Sequence, residues 1–181
     1  MASVHDHQEQ FAIARGAMPL ARVDDALRLL HLDLLSRGAD AQELGSWLWG
    51  AHWFPHLNEH AAITALADAL PEKWRTGTRC DPQILLQFPH TGPDPEITFH
   101  VDQEPDWAGD RRYLRIVGVP LSPWRVENGG LLVKPGADVV PVEADPGDVV
   151  MMQPDLLHSG GVNRTGAVRY AVYFRFLGES G

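Results

Sequence analysis

The residues best suited to chemistry are a histidine and a carboxylate separated by one position. They are His100 and Asp102, and they lie in the mostly apolar run 97–102. A β-strand turns alternate side chains to the same face, so a strand over 97–102 places His100 and Asp102 side by side. A neutral imidazole and a carboxylate arranged in this way suit two adjacent positions around one metal ion. The alternative is a histidine at a strand end that hydrogen-bonds a nearby carboxylate.

A third ligand is available in His158, which follows a turn and an apolar run at 147–152. A buried strand at that place would hold His158 in a fixed position. Two histidines and one carboxylate on one face leave other positions of a metal open. This donor set is typical of non-haem Fe(II) oxygenases.

An arginine follows the third candidate ligand at the start of the last apolar run. Asn163 and Gly166 predict a turn between His158 and Arg169, and we expect this turn to bring the last strand beside the one that precedes His158. The planar guanidinium of Arg169 suits two-pronged binding of a carboxylate. A buried arginine needs such a partner, because an unpaired buried charge is costly.

A second group of histidines, His52, His56 and His60, is spaced by four residues. On a continuous helix this spacing would stack them on one face, as a metal site requires. Pro55 interrupts that helix, and no carboxylate or cysteine completes the set. We therefore favour a helix-start or surface role over metal binding for these three histidines.

Composition limits the other classes of function. The chain has 181 residues, a formal net charge of −9 and one cysteine, which indicates one soluble domain without a disulfide framework or a multi-cysteine zinc site. The acidic balance argues against nucleic-acid partners, whose phosphates attract clustered Lys and Arg. No leader pattern or membrane-length apolar run occurs. The expected location is the cytoplasm, without a membrane partner, and the oligomeric state is left open.

The predicted secondary structure that positions these residues changes from helix to strand near residue 80. Before it, helical periodicity predicts helices over 20–37 and about 57–69, and Asp40 with Glu43 resembles a capping box that opens a short helix between them. After it, Pro and Gly punctuate short apolar runs, which is typical of strands and turns. The fold class expected is mainly β with N-terminal helices, as a sandwich or barrel with a helical cover. The predicted strands cover residues 84–88, 97–102, 113–119, 130–134, 139–142, 148–152 and 169–177.

Several of these motifs together resemble one enzyme superfamily, the Fe(II)- and 2-oxoglutarate-dependent dioxygenases, and most of all its phytanoyl-CoA dioxygenase-like branch. The resemblance spans about 80–177, and the opening 11–16 followed by a helix is also similar to that branch. A prolyl-4-hydroxylase-like enzyme would share part of the pattern. The motifs that carry the resemblance are His100-Val101-Asp102, Glu127-Asn128-Gly129-Gly130, Lys134-Pro135-Gly136, Gly147-Asp148 and the segment from His158 to Arg169.

The resemblance implies a double-stranded β-helix, which is a cupin-like jelly roll, as the catalytic core of a single domain 1–181, with residues 1–79 as its helical cover. It implies that His100, Asp102 and His158 are the iron ligands and catalytic residues, and that Arg169 binds the distal carboxylate of 2-oxoglutarate. The activity implied is that of an oxidoreductase that uses O2 and releases succinate and CO2. Because Asp102 supplies a carboxylate where related halogenases have a small residue, the resemblance favours hydroxylation.

Five further residues are candidates for binding small molecules. Gln87 is expected to hydrogen-bond 2-oxoglutarate or to face the surface, and Trp107 and Trp124 are expected to line the substrate pocket or to be plain core. Tyr173 and Arg175 share the strand parity of Arg169, so a regular strand turns them toward the same cavity. Arg175 then binds a substrate anion or forms a structural ion pair.

The expected reaction is hydroxylation of an unactivated C–H bond in a small molecule, such as an amino-acid-derived or natural-product intermediate. The short interval between Asp102 and His158 leaves little room for the inserts that shape a substrate pocket. Two alternatives remain. One is a hydroxylase of a protein or peptide side chain. The other is a non-catalytic metal-binding jelly roll, which predicts that Arg169 lies on the surface or pairs with a protein carboxylate.

Overall fold

A computed structural model describes residues 10–36, 55–80, 82–102 and 113–178. Two α-helices, α1 (Leu20–Ser36) and α2 (Ala61–Asp68), lie in the first half, with short 3-10 turns at Pro55–Leu57 and Glu72–Trp74. The rest of the regular structure is β. The strands are β1 (Phe11–Ala14), β2 (Thr78–Arg79), β3 (Gln83–Gln87), β4 (Tyr113–Pro120), β5 (Leu131–Lys134), β6 (Val140–Val142), β7 (Val149–Met152), β8 (Leu157–Gly160) and β9 (Arg169–Leu177).

The strands form two antiparallel sheets. The larger sheet has the order β1-β7-β4-β9-β2, with β3 also paired to β9, and the smaller sheet has the order β6-β5-β8. The mainly β class with N-terminal helices is therefore confirmed. The chain crosses from the large sheet to the small one between β4 and β5, returns at β7, and crosses again to β8 and back to β9.

The side chains of strand β9 alternate between two hydrophobic cores, one on each face of the large sheet. Its even-numbered side chains, such as Val172 and Phe174, pack with the helices, whereas Ala171 and Tyr173 pack between the two sheets. The period of two in a strand produces this division. Arg169 has the parity of Ala171 and Tyr173, so the strand presents it on the side that faces the small sheet.

Helix α1 covers the outer face of the large sheet with Val23, Ala26 and Leu30, all of which are buried. Its predicted range is confirmed as far as Ser36, where the described segment ends. Helix α2 begins later than the sequence predicts, because His60 is its N-cap and accepts a hydrogen bond from the Ala62 amide. The helix predicted to start with the Asp40–Glu43 capping box lies outside the described residues.

The strand predicted over 97–102 is wrong as a continuous strand. Only His100 in this segment forms a β-bridge, and Ile97 is exposed. Pro93 and Pro95 precede the segment, and a proline offers no N–H to a neighbouring strand. The other predicted strands are present within one or two residues, whereas β1, β2 and β8 were not predicted.

The expected neighbour of the last strand is also wrong. Strand β9 pairs with β2, β3 and β4, and β4 separates it from β7, the strand that precedes His158. His158 itself lies in β8 of the small sheet. The two candidate site residues therefore approach each other across the sandwich and not along one sheet.

No helix in the described ranges combines the length and the apolar character that crossing a membrane requires.

Candidate functional site

Two of the predicted metal ligands are joined through their backbones. The His100 amide donates to the His158 carbonyl at 3.0 Å, and the His158 amide donates to the His100 carbonyl at 2.9 Å. Two residues further on, the Asp102 amide donates to the Pro154 carbonyl at 3.1 Å. These bonds fix the irregular segment against β8 and bring all three predicted ligands together.

The side chains of the three residues converge on one point. Asp102 Oδ1 lies 3.6 Å from His100 Nε2 and 3.7 Å from His158 Nε2. One ligand atom from each residue lies within 4.8 Å of the other two, and within the described ranges this is the one group of three such side chains that is able to hold a metal ion. Two imidazole nitrogens and one carboxylate oxygen form the donor set predicted from the sequence.

His158 is held in the form that a metal ligand requires. Its Nδ1 lies 3.0 Å from the Leu156 carbonyl, and since a carbonyl only accepts, Nδ1 carries the proton and Nε2 presents a lone pair. Burial lowers the pKa of His158, and the nearby His100 and Arg175 lower it further, against the opposing effects of Leu156 and Asp102. The imidazole is therefore neutral near pH 7.

The triad lines a cavity of about 70 Å³ between the two sheets. Its polar lining includes Arg169, Tyr173 and Arg175 from β9, and its apolar lining includes Leu131 and Met152. The shared parity predicted for the three β9 residues is thus realised. The cavity mouth lies near His100, whose side chain is 39% exposed, whereas that of His158 is 10% exposed.

Arg169 lies in this cavity wall and is 2% exposed. Its Nε and Nη1 atoms are buried and have no hydrogen-bond partner in the described part of the protein. Tyr173 is the residue whose side chain hydrogen-bonds it, and its guanidinium lies 5.8 Å from the centre of the Trp124 ring. Burial lowers the pKa of Arg169, but a guanidinium titrates so high that it stays charged at neutral pH. Two nitrogens of a charged guanidinium in the cavity wall therefore lack an acceptor.

A buried asparagine builds the turn that leads into Arg169. Asn163 is fully buried, and its amide donates at 2.8 Å both to the Gln87 carbonyl and to the Ala167 carbonyl. Its Oδ1 accepts from the Thr165 amide and hydroxyl. Gln87 is directly opposite Arg169 in the β3–β9 register, so the same asparagine ties together the two strand ends beside the cavity.

Arg175 forms an ion pair with the predicted carboxylate ligand. Its Nη2 and Nε donate to Asp102 Oδ2 at 2.8 and 3.2 Å. Its Nη2 also donates to Gln83 Oε1. Of the two roles considered for Arg175, the geometry therefore favours the ion pair.

The remaining candidates have different positions. Gln87 is buried and not surface-facing, and it donates to the Gly161 carbonyl at 3.1 Å beside a neighbouring cavity. Trp124 is fully buried and stacks on Tyr173 with ring centres 5.7 Å apart, so it lies behind the residues that line the cavity beside the triad. Trp107 lies outside the described residues.

The histidines of the alternative cluster have other partners. His60 caps α2, as the helix-start interpretation predicts, and His56 Nε2 lies 2.6 Å from Asp33 Oδ1. His52 lies outside the described residues. Neither described histidine joins a group of three metal ligands in the parts of the chain that the structure describes.

Two residues of the site were not identified from the sequence as part of it. Gln83 lines the cavity and contacts Arg175, and the parity it shares with Gln87 on β3 is a signal that could have found it. Asn163 was predicted only as a turn residue. Its three-way contact with Gln87, Thr165 and Ala167 depends on strand pairing that no local pattern contains.

Part of the site lies in a segment that is similar in sequence to a known protein family. The phytanoyl-CoA dioxygenase (PhyH) family matches residues 134–171, a segment that contains His158 and Arg169. This match confirms the predicted resemblance for that segment. No curated protein matches the chain by sequence.

Solved structures share the fold over nearly the whole chain. AviO1 from Streptomyces viridochromogenes Tue57 superposes with a TM-score of 0.64 at 17% identity, covering 95% of this chain and 90% of its own. HygX from Streptomyces hygroscopicus, solved with nickel and 2-oxoglutarate bound, gives 0.65 at 15% identity, with 94% and 83% covered. SnoN, a non-haem α-ketoglutarate-dependent epimerase of nogalamycin biosynthesis, gives 0.62 at 17% identity, with 93% and 76% covered.

Proposed function

We propose that this protein is an Fe(II)- and 2-oxoglutarate-dependent oxygenase that acts on a small molecule. The observation that carries the proposal is Arg169, a buried arginine with two unpartnered nitrogens, in the wall of the cavity that His100, Asp102 and His158 also line. A buried charge without a partner is costly. Its presence beside a metal-type donor set is explained if an anionic co-substrate completes the site.

The donor set suits a divalent iron ion. Two imidazoles and one carboxylate on one side, with the remaining positions open, are the ligands that non-haem Fe(II) oxygenases use. His100 and His158 would each supply Nε2, and Asp102 would supply Oδ1. His158 is supported by its bond to the Leu156 carbonyl, which is the kind of outer contact that orients metal-bound histidines.

The polar and apolar lining of the cavity suits a dicarboxylate such as 2-oxoglutarate. Arg169 would bind the carboxylate remote from the metal, and Tyr173 would hold the guanidinium in place. The apolar lining of Leu85, Leu131 and Met152 would exclude water from the carbon chain. HygX, of similar fold, was solved with nickel and 2-oxoglutarate, and SnoN with Fe3+, α-ketoglutarate and nogalamycin RO. The metals and the keto acid bound in those two structures support Fe(II) and 2-oxoglutarate as the cofactors of this protein.

We propose that the two sheets form the double-stranded β-helix expected from the resemblance, and that the helices and strands belong to one domain. The packing of α1 and α2 on the outer face of the large sheet supports a single domain. Strands β8 and β9 then provide the cavity with His158 from one sheet and Arg169 from the other. This arrangement separates the two ends of the co-substrate.

Bound iron with 2-oxoglutarate and O2 supplies the oxidising chemistry, with release of succinate and CO2. The protein's residues position the reactants and keep bulk water away. His100, His158 and Asp102 would hold the metal and leave its other coordination positions for reactants. Asp102 fills the ligand position that chloride would need, so hydroxylation of a C–H bond is the proposed outcome.

A small molecule is the proposed substrate class. The relatives of similar fold include an epimerase and a carbocyclase of nogalamycin biosynthesis, and a complex of the epimerase with nogalamycin RO. The non-catalytic alternative predicted a surface position or a protein carboxylate for Arg169. Its burial and its unpartnered N–H groups support the enzyme instead.

Turnover of the co-substrate tests this proposal. Purified protein supplied with Fe(II), ascorbate, O2 and 2-oxoglutarate should form succinate, slowly without substrate and faster with the correct one, and His100→Ala should abolish it. Product analysis by mass spectrometry should find one added oxygen atom. Iron binding without any succinate above the His100→Ala background, across a panel of small molecules and peptides, would contradict the proposal. Stimulation by peptides alone would favour the side-chain hydroxylase.

A further inference from the structure

The ion pair between Arg175 and Asp102 divides the carboxylate into two unequal oxygens. Oδ2 accepts from both Nη2 and Nε of Arg175, at 2.8 and 3.2 Å. Oδ1 is the atom that faces His100 Nε2 and His158 Nε2. One oxygen is therefore occupied by the guanidinium, and the other is directed toward the two imidazoles.

Arg175 is itself held firmly. It is opposite Ile116 in the β4–β9 register, and its carbonyl accepts from the Cys80 amide. Its Nη2 also donates to Gln83 Oε1 on β3. The side chain is 15% exposed, and that of Asp102 is 12% exposed. A charge-assisted bond between groups so well shielded is much less screened than a surface ion pair.

We infer that Arg175 is a positioning residue that makes Asp102 a one-oxygen ligand, and that it does not bind the substrate. This inference rests on the proposed iron centre. A carboxylate can bind a metal through one oxygen or through both. If Asp102 used both, the second oxygen would occupy a position that the co-substrate or O2 requires. By holding Oδ2, Arg175 preserves that open position.

The arrangement also explains why β9 carries two arginines of the same parity. Arg169 lies at the start of the strand, where its Nε and Nη1 lack acceptors. Arg175 lies six residues on, where its Nε and Nη2 donate to Asp102 and Nη2 also donates to Gln83. The first is available to an incoming anion and the second is not. Each guanidinium therefore has a separate role in the same cavity.

The test uses Co(II) as a spectroscopic probe of the ligand set, without turnover. Arg175→Gln should weaken Co(II) binding by about 10- to 100-fold, as loss of an outer contact to a metal ligand does. It should also change the visible Co(II) spectrum, because Asp102 is free to bind through both oxygens. Arg175→Lys keeps the charge but loses the two-pronged contact, so it should restore only part of the affinity. Arg164→Gln, which removes a guanidinium paired with Asp94 at the surface, is the matched control.

A second variant keeps the test decisive if Arg175→Gln does not fold. Gln83→Leu removes the outer contact to Arg175, and it should weaken Co(II) binding by about 2- to 10-fold, the effect of losing one hydrogen bond. Unchanged Co(II) affinity and spectrum in folded Arg175→Gln, or in Gln83→Leu if only that variant folds, would overturn the inference. Failure of the wild-type protein to bind Co(II) would instead overturn the proposed iron centre.

Discussion

His100 and His158 exchange both of their backbone hydrogen bonds, with N···O distances of 3.0 and 2.9 Å. This main-chain pairing brings the two imidazoles together, with their ring centres 4.5 Å apart. Replacing either side chain leaves the bridge intact. This separation of folding from metal binding makes the site accessible to mutation.

Removing a single ligand should abolish tight metal binding while the protein stays folded. In His100→Ala or His158→Ala, only two donors of the triad remain, and two donors do not hold a divalent ion firmly. Equilibrium dialysis with Fe(II) or Co(II), followed by metal analysis, measures the change.

His90→Ala is the matched control, since His90 lies outside the triad and contacts the Pro93 carbonyl. It should retain the wild-type metal content. Equal metal binding in His158→Ala and His90→Ala would show that the triad is not the metal site.

We predict that Arg169 lowers the stability of the metal-free protein. In the metal-loaded protein, we predict that Arg169 is required for tight binding of 2-oxoglutarate. Because Nε and Nη1 lack partners, Arg169→Met should leave the metal-free protein at least as stable as wild type, with a gain of up to about 3 kcal/mol. Co(II)-loaded Arg169→Met should lose about 2–5 kcal/mol of 2-oxoglutarate binding, which is roughly 30-fold or more in Kd. Urea unfolding and calorimetric titration measure the two effects.

Arg169→Lys separates charge from shape in this prediction. It keeps a cation but not the planar fork, so its affinity for 2-oxoglutarate should lie between those of wild type and Arg169→Met. A metal-free Arg169→Met protein that is clearly destabilised would contradict this prediction, because it would show that the contacts of Arg169 with Tyr173 and Trp124 outweigh the cost of its unpartnered nitrogens.

Much of the site could be predicted because it depends on local patterns. The alternation of β9 placed Arg169, Tyr173 and Arg175 on one face, and the spacing of His100 and Asp102 predicted their approach. The contact between Arg175 and Asp102 was left open, because it depends on where the chain outside β9 passes. No local pattern contains that information.

The errors in the predicted fold also arise because local patterns do not show which distant segments pair. The 97–102 segment looked like a strand because it alternates, but a strand also needs a partner along its length, and this segment has one only at His100. Strand β1 was missed because four residues, Phe11–Ala14, pair with the distant β7. Strand β8 was missed because Leu157–Gly160 contains a histidine, a serine and a glycine, which are not typical of strands.

Gly118 should be required for the stacking beneath the cavity. A Cβ at this position would lie 2.8 Å from Trp124 and from Tyr173, so Gly118→Ala should destabilise the protein by about 1–3 kcal/mol through overpacking. Because Tyr173 contacts Arg169, the affinity for 2-oxoglutarate should fall as well.

Gly136→Ala provides the comparison, since nothing lies within 4 Å of a Cβ there. Its stability should stay within about 0.5 kcal/mol of wild type. Urea midpoints for both variants give the result. Equal stability of the two would mean that the Trp124–Tyr173 stack tolerates the added methyl group.

Asp148 should contribute stability that disappears in acid. Burial tends to raise its pKa, but hydrogen bonds from the Asp145 and Gly16 amides and from Arg15 lower it overall. A lowered folded-state pKa means that the contribution is present above the unfolded pKa of about 3.9 and is lost as pH falls through the folded value.

Asp148→Asn should therefore be less stable than wild type at pH 7, by about 1–3 kcal/mol, and should lose less stability on acidification. Urea unfolding at neutral pH and at about pH 3 tests both statements. Asp138→Asn, at an exposed position, should follow the wild-type curve. An acid dependence of Asp148→Asn as steep as that of wild type would contradict the assignment.

The most direct test of the central claim is an anaerobic titration of the Fe(II)-loaded protein with 2-oxoglutarate, followed by visible absorption. The account predicts a charge-transfer band of the iron-chelated keto acid that saturates with added 2-oxoglutarate, and that requires a much higher concentration in Arg169→Met. Bound Fe(II) without such a band, or a titration that is unchanged in Arg169→Met, would contradict the assignment of 2-oxoglutarate to this cavity.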